Sequence, residues 1–185
     1  MKLRILTIVL AAMSVAGSAR ADGGFISPYI GFNFGGDSAN CLGVNSCEDH
    51  RLNFGAAFGT RHGVFGIEED IGYAPDFFGT TGEGNGVLTV MTSALFVVPA
   101  GPIKPYALIG IGLIRPHFST GNLSLDQNAI GYDIGGGINL SFAPSVAIRA
   151  DIRHLHTLQD VTLGGVFSSQ PLEFWRASAG LTFGF

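Results

Sequence analysis

Seven ionisable residues stand out in a sequence that is otherwise poor in charge. Glu68 and Asp70 are two apart, Arg149, Asp151 and Arg153 occupy every second position, and Asp133 and Arg176 sit singly among small and apolar residues. In an extended chain, alternate residues share one face, so this set can line an ion pathway or form a packed salt-bridge network. Four acids against three bases nearly balance, which favours the network, because buried charges without partners are very costly. His154 and His156, also two apart, have the chemistry for a metal ligand or a catalytic base. Cys41 and Cys47 are the only cysteines. In an exported chain a disulfide is the default for them; closing so short a loop would remove unfolded-state entropy worth roughly 2 kcal/mol. A metal site there would need more ligands than Glu48 and His50 add. Walker loops, zinc-ligand spacings and nucleophile elbows are all lacking, and Gly135-Gly136-Gly137 precedes no helix and so forms no phosphate cradle. The expectation is a protein without catalytic residues, cofactor or metal.

The amino terminus supports export. Lys2 and Arg4 precede an apolar stretch over 5–12, and Ala19-Arg20-Ala21 fits an A-x-A cleavage pattern. Residues 1–21 are therefore expected to be a signal peptide, too short for a membrane anchor, and 22–185 one domain. Of the chain's 10 Lys+Arg, Lys2, Arg4 and Arg20 leave with the leader, so seven basic and 14 acidic side chains remain, a net charge of −7. That charge carries no basic patch, which argues against nucleic acid as a partner. Charged residues make up 13% of the chain and 28 residues are Gly, about half and about twice the usual shares. Mean hydropathy is +0.37, yet no segment after Asp22 approaches 18 consecutive apolar residues. Alternate positions on membrane-spanning strands are one place for that much apolar surface.

The elements that must position the charged residues read as eight extended segments, bounded by Gly, Pro, Asn or Asp. They cover roughly 26–35, 51–60, 64–73, 87–98, 105–116, 129–142, 146–157 and 173–185, each near the length of about 9–11 residues that a tilted strand needs to cross a bilayer. The connections alternate between short (61–63, 99–104, 143–145) and long (36–50, 74–86, 117–128, 158–172), the pattern of a membrane barrel with short periplasmic turns and longer external loops. In the second segment Leu52, Phe54, Ala56 and Phe58 share one face and Asn53, Gly55, Ala57 and Gly59 the other. The sixth sets Ile130, Tyr132, Ile134, Ile138 and Leu140 against Gly131, Asp133, Gly135, Gly137 and Asn139. The seventh sets Val146, Ile148, Ala150 and Ile152 against Arg149, Asp151 and Arg153. Glycine and charge fall on the same faces, as a narrow eight-strand interior requires. The fold expected is all-β: an eight-stranded antiparallel up-and-down transmembrane β-barrel.

Two places resist this reading. The fourth and fifth segments are apolar on both faces, so their inward sides stay open. In the third, Phe65, Ile67, Ile71 and Tyr73 define the lipid face and put Glu69 among them; a bulge near Glu68-Glu69 or a protonated Glu69 would accommodate it. At the carboxyl end Leu181, Phe183 and Phe185 share a face.

Taken together, the chain resembles the small outer-membrane β-barrel family of the OmpA/OmpX and opacity-protein type. The resemblance rests on Phe65-Gly66-Ile67-Glu68 through Gly72-Tyr73-Ala74-Pro75, Pro105-Tyr106-Ala107 with Gly110-Ile111-Gly112, the run from Ile148 to Arg153, and Phe185. It implies the bacterial outer membrane as location, outer-membrane lipid and lipopolysaccharide as surroundings, and Leu181, Phe183 and Phe185 as a signal to the barrel assembly machinery. It also implies a monomer with an envelope-integrity or surface-interaction role and an unspecified external ligand; alternatives are a small-solute porin and, further off, a lipid A-modifying hydrolase. Lipid A deacylases of the outer membrane carry Ser two residues after a barrel His; here His156 follows His154 and Leu158 follows His156, so that pattern is not met. His154 and His156 then read as headgroup-level polar residues, and Tyr73, Tyr106, Tyr132 and Trp175 as an aromatic girdle.

Overall fold

The computed structural model of the chain describes residues 23–38, 50–78, 84–120, 123–161 and 170–185. The expected leader, 1–21, and both cysteines, Cys41 and Cys47, lie outside them. Nine strands form in chain order: β1 (Gly24–Phe34), β2 (His50–His62), β3 (Phe65–Pro75), β4 (Gly84–Val97), β5 (Ile103–Thr120), β6 (Leu123–Asp126), β7 (Ala129–Ala143), β8 (Val146–Val161) and β9 (Gln170–Gly184). Eight of them pair in the order β4-β3-β2-β1-β9-β8-β7-β5, and β4 pairs with β5 to close the ring. Every pairing is antiparallel. Closure leaves the eight-strand ring without an edge, which is what lets a sheet lie in hydrocarbon with its backbone groups satisfied.

At one end the chain turns tightly; between β2 and β3 it does so on Gly63, whose φ of 60° suits a residue without Cβ. At the other end, β5 and β8 run to 18 and 16 residues, well past the length needed to cross a bilayer. The expected loop 117–128 is therefore partly strand. β5 continues upward and pairs back on β6, His117 opposite Asp126 and Thr120 opposite Leu123. Arg115 and His117 both contact the Asp126 carboxylate, at 3.3 and 2.8 Å, and tie this hairpin together.

The outer wall is apolar. Ile30, Phe32, Phe54, Phe65, Ile67, Ile109, Ile111, Ile134 and Phe142 are each about half exposed or more, a cost in water and a requirement in lipid. The interior is layered. Phe25, Leu95, Val97, Tyr106 and Leu108 pack near the turn end, and a larger apolar cluster fills the loop end. These layers resolve the two segments that looked apolar on both faces. β4 points Val87, Met91, Leu95 and Val97 inward and β5 points Leu108 and Ile114 inward, all buried, while Phe96, Ile109 and Ile111 meet lipid. The outermost layer includes Phe77 and Phe78, carried inward by the turn after β3. Asp76 there adopts φ 51°. Phe77 is fully buried and stands edge-to-face on Phe78 and Phe174, with ring centroids 5.0 and 4.8 Å apart.

No bulge accommodates Glu69. The register runs unbroken through Phe58 opposite Glu69 and Glu69 opposite Thr92; the irregularities lie in β7–β8 and β8–β9 instead. Glu69 stays on the outer wall, where its Oε2 accepts a hydrogen bond of 2.8 Å from the Thr92 hydroxyl.

Candidate functional site

Between the two apolar layers lies a belt of charge built from four strands. β3 contributes Glu68 and Asp70, β7 Asp133, β8 Arg149, Asp151 and Arg153, and β9 Arg176; all seven side chains are buried. Strands β3 and β8 are on opposite walls, and the arginines span the space between. Arg149 grips Glu68 with two nitrogens, Nη2 donating to Oε1 at 3.0 Å, while its Nε donates to Asp151 at 3.0 Å. Arg153 is the hub: Nη2 donates to Glu68 at 2.7 Å, and Nη1 reaches Asp133 at 3.3 Å and Asp70 at 3.7 Å. Arg176 Nη2 donates to Asp70 at 2.7 Å. Planar guanidinium forks suit this task, since each can serve several carboxylate oxygens at once.

Four uncharged residues complete the belt. Tyr29 Oη, on β1, donates to Asp70 at 3.2 Å and accepts from Arg176 at 2.9 Å. Tyr106 Oη, on β5, donates to Asp151 at 2.8 Å and accepts from Arg149 at 2.7 Å. Ser93 and Ser178 donate to Asp133 and Asp151 at 3.2 and 2.9 Å. Tyr106 thus corrects the girdle reading: it faces inward, 6% exposed, whereas Tyr73 and Trp175 are exposed on the outer wall. Two glycines make room for the phenols. A Cβ on Gly72 would sit 2.7 Å from the Tyr29 hydroxyl, and one on Gly137 2.7 Å from that of Tyr106.

The belt leaves little space. One cavity of about 10 Å³ adjoins Arg149 and Tyr106 on the turn side, and another of about 10 Å³ adjoins Arg176 and Thr89 on the loop side. Each is about the room one water needs.

The two histidines lie elsewhere, at the loop end of the outer wall. Glu173 of β9 approaches both, its Oε2 being 3.4 Å from His156 Nδ1 and 3.8 Å from His154 Nε2. His154 packs against Trp175, ring centroids 4.9 Å apart. Beside them, Asp37 accepts a hydrogen bond from the Glu173 backbone N–H at 2.9 Å; burial, chiefly, raises its carboxyl above the usual range. Among the described residues no group of three or more His, Cys, Asp or Glu is arranged to hold a metal ion. Leu181, Phe183 and Phe185 project outward from the turn end of β9 and are exposed.

Comparison with known proteins agrees with this architecture. The Outer membrane protein beta-barrel domain matches residues 7–183. Among solved structures, Neisserial surface protein A is similar with a TM-score of 0.66 at 15% identity, over 88% of this chain and 97% of that one. The N-terminal β-barrel domain of Pseudomonas aeruginosa OprF gives 0.57 at 14%, over 89% and 98%. Ail, the attachment invasion locus protein of Yersinia pestis, gives 0.54 at 16%, over 88% and 99%. No curated protein matches the sequence significantly. A closed eight-strand ring with an apolar outer wall, matched over nearly its whole length by this domain, belongs to the outer-membrane β-barrel family, and the chain is a bacterial outer-membrane protein.

Proposed function

We propose that this is a non-enzymatic barrel, exported behind a leader over 1–21, that supports envelope integrity and presents its loops for surface contacts. The observation that carries this reading is the filled interior. Seven buried charges are paired across the barrel and the flanking cavities hold about one water each, so the free surfaces are the loops and the outer wall. A small-solute porin needs an open lumen, which eight strands seldom leave. Short turns at one end and long connections at the other support an orientation with the turns and both termini in the periplasm. Lipopolysaccharide is then the neighbour of the outer wall near Trp175 and Tyr73. Leu181, Phe183 and Phe185 would engage the barrel assembly machinery, and Cys41 with Cys47 would pin the first external loop. The enzymatic alternative uses His154 or His156, oriented by Glu173, on lipid A. Mass spectrometry of lipid A from cells with and without the protein, alongside their sensitivity to detergent, tests the proposal. Unchanged lipid A with raised detergent sensitivity on deletion is expected; a lost acyl chain that depends on His154 or His156 would overturn it.

A further inference from the structure

Among the described residues, Glu69 is the one carboxyl group midway along the lipid-facing wall. On its own strand Phe65 and Ile67 lie toward the turn end, 65% and 60% exposed, and Ile71 and Tyr73 lie toward the loop end, 41% and 39% exposed. At about 3.3 Å per residue and a tilt near 45°, four residues separate Glu69 from either flank by roughly 9 Å along the membrane normal. That is the middle of an apolar band about 25 Å tall. Thr92 satisfies one carboxyl oxygen, and the other has no partner among the described residues. Lipid tails offer neither donor nor acceptor at this depth.

We infer that Glu69 and Thr92 form the centre of a membrane-embedded interface with a second copy of this chain. Two barrels inserted the same way round are related by a two-fold axis along the membrane normal, so a residue at the centre of the contact meets its own copy at the same depth. A carboxyl group suits that geometry because its acid form carries both a donor and acceptors, and two such groups facing one another satisfy each other. The surrounding wall permits close approach: Ala94 lies next to Thr92 on the outer face of β4, and Ala56 neighbours Ile71 across β2–β3. The isolated barrel expected from the sequence becomes a dimer with β3 and β4 at its seam.

The test reconstitutes the full mature protein, as donor- and acceptor-labelled copies, in phosphatidylethanolamine–phosphatidylglycerol vesicles over a range of lipid dilution. Energy transfer in the wild type should persist on dilution. Glu69→Leu should weaken the dimerisation constant about tenfold, within the range of hydrogen bonds between membrane-spanning segments, while Glu69→Gln, which keeps a donor and an acceptor, should retain it. A heat-modifiable gel band checks that each variant is folded. Ala94→Trp, which obstructs close approach without touching Glu69, carries the same expected loss should Glu69→Leu fail to fold. Transfer that dilutes out in the wild type, that is equal in wild type and Glu69→Leu, or that survives Ala94→Trp would overturn the dimer.

Discussion

Arg149 shows what a single residue contributes to this barrel. It is 5% exposed and holds Glu68, Asp151 and Tyr106 together. Truncation would leave Glu68 buried with Arg153 as its remaining partner, and breaking a buried pair costs about 3–5 kcal/mol. Arg149→Ala should therefore lower the urea midpoint of refolding in detergent or vesicles markedly, while Gln159→Ala, an exposed change at the loop end, should leave it within error. Equal midpoints would show that the charges are not mutually supporting. The charged faces of β7 and β8 are legible in the sequence because acids and bases alternate with largely apolar neighbours, and that of β3 is legible despite Glu69 because Phe65, Ile67, Ile71 and Tyr73 mark the opposite face. Tyr106 is not legible, since β5 is apolar on both faces and its phase is set by packing against β4 and β7. Tyr29 is hidden for a related reason: a tyrosine on a strand fits a lipid interface as well as an interior, and only the positions of Asp70 and Arg176 across the barrel decide between them.

At the scale of elements, the strands follow from alternation, whereas the loop-end structure does not. Phe77 and Phe78 lie in a segment that reads as an external loop, and nothing local says that they fold inward over the charged belt. Their burial depends on Phe174, Leu155 and Ile114 arriving from distant strands. Phe77→Ala should cost about 3–5 kcal/mol and expose the loop-end layer; hydrogen exchange should rise first at the β3–β4 mouth and leave the turn end protected. Unchanged exchange there would mean that the aromatic cap is dispensable. The β5–β6 hairpin is held differently. Its Asp126 carboxyl lies below the usual carboxylate range, mainly through the His117 hydrogen bond and then the Arg115 charge. Because the folded value is depressed, the contribution is present above the ordinary carboxylate range and is lost as pH falls through the folded one. The group is well exposed, so the effect is small. Amide protection in β6 should fall a few-fold on acidification below that range, and Asp126→Asn should abolish the pH dependence; protection in β6 that ignores pH would contradict the assignment.

For the whole molecule, the apolar surface faces outward and the charge inward, the reverse of a soluble domain. That inversion is legible in the sequence from glycine and charge sharing the same strand faces, and so is the ring of eight strands, from the alternation of short and long connections. The proposed function rests on a filled interior: two apolar layers flank a belt of paired charges, and a cavity of about one water's volume adjoins the belt on either side. Conductance of the purified full-length mature protein in a planar bilayer tests this claim most directly. The structure predicts no stable open level for the wild type at moderate voltage. A long-lived conductance state whose ion selectivity changes in Arg153→Ala would contradict it, because ions would then be passing through the belt rather than around it.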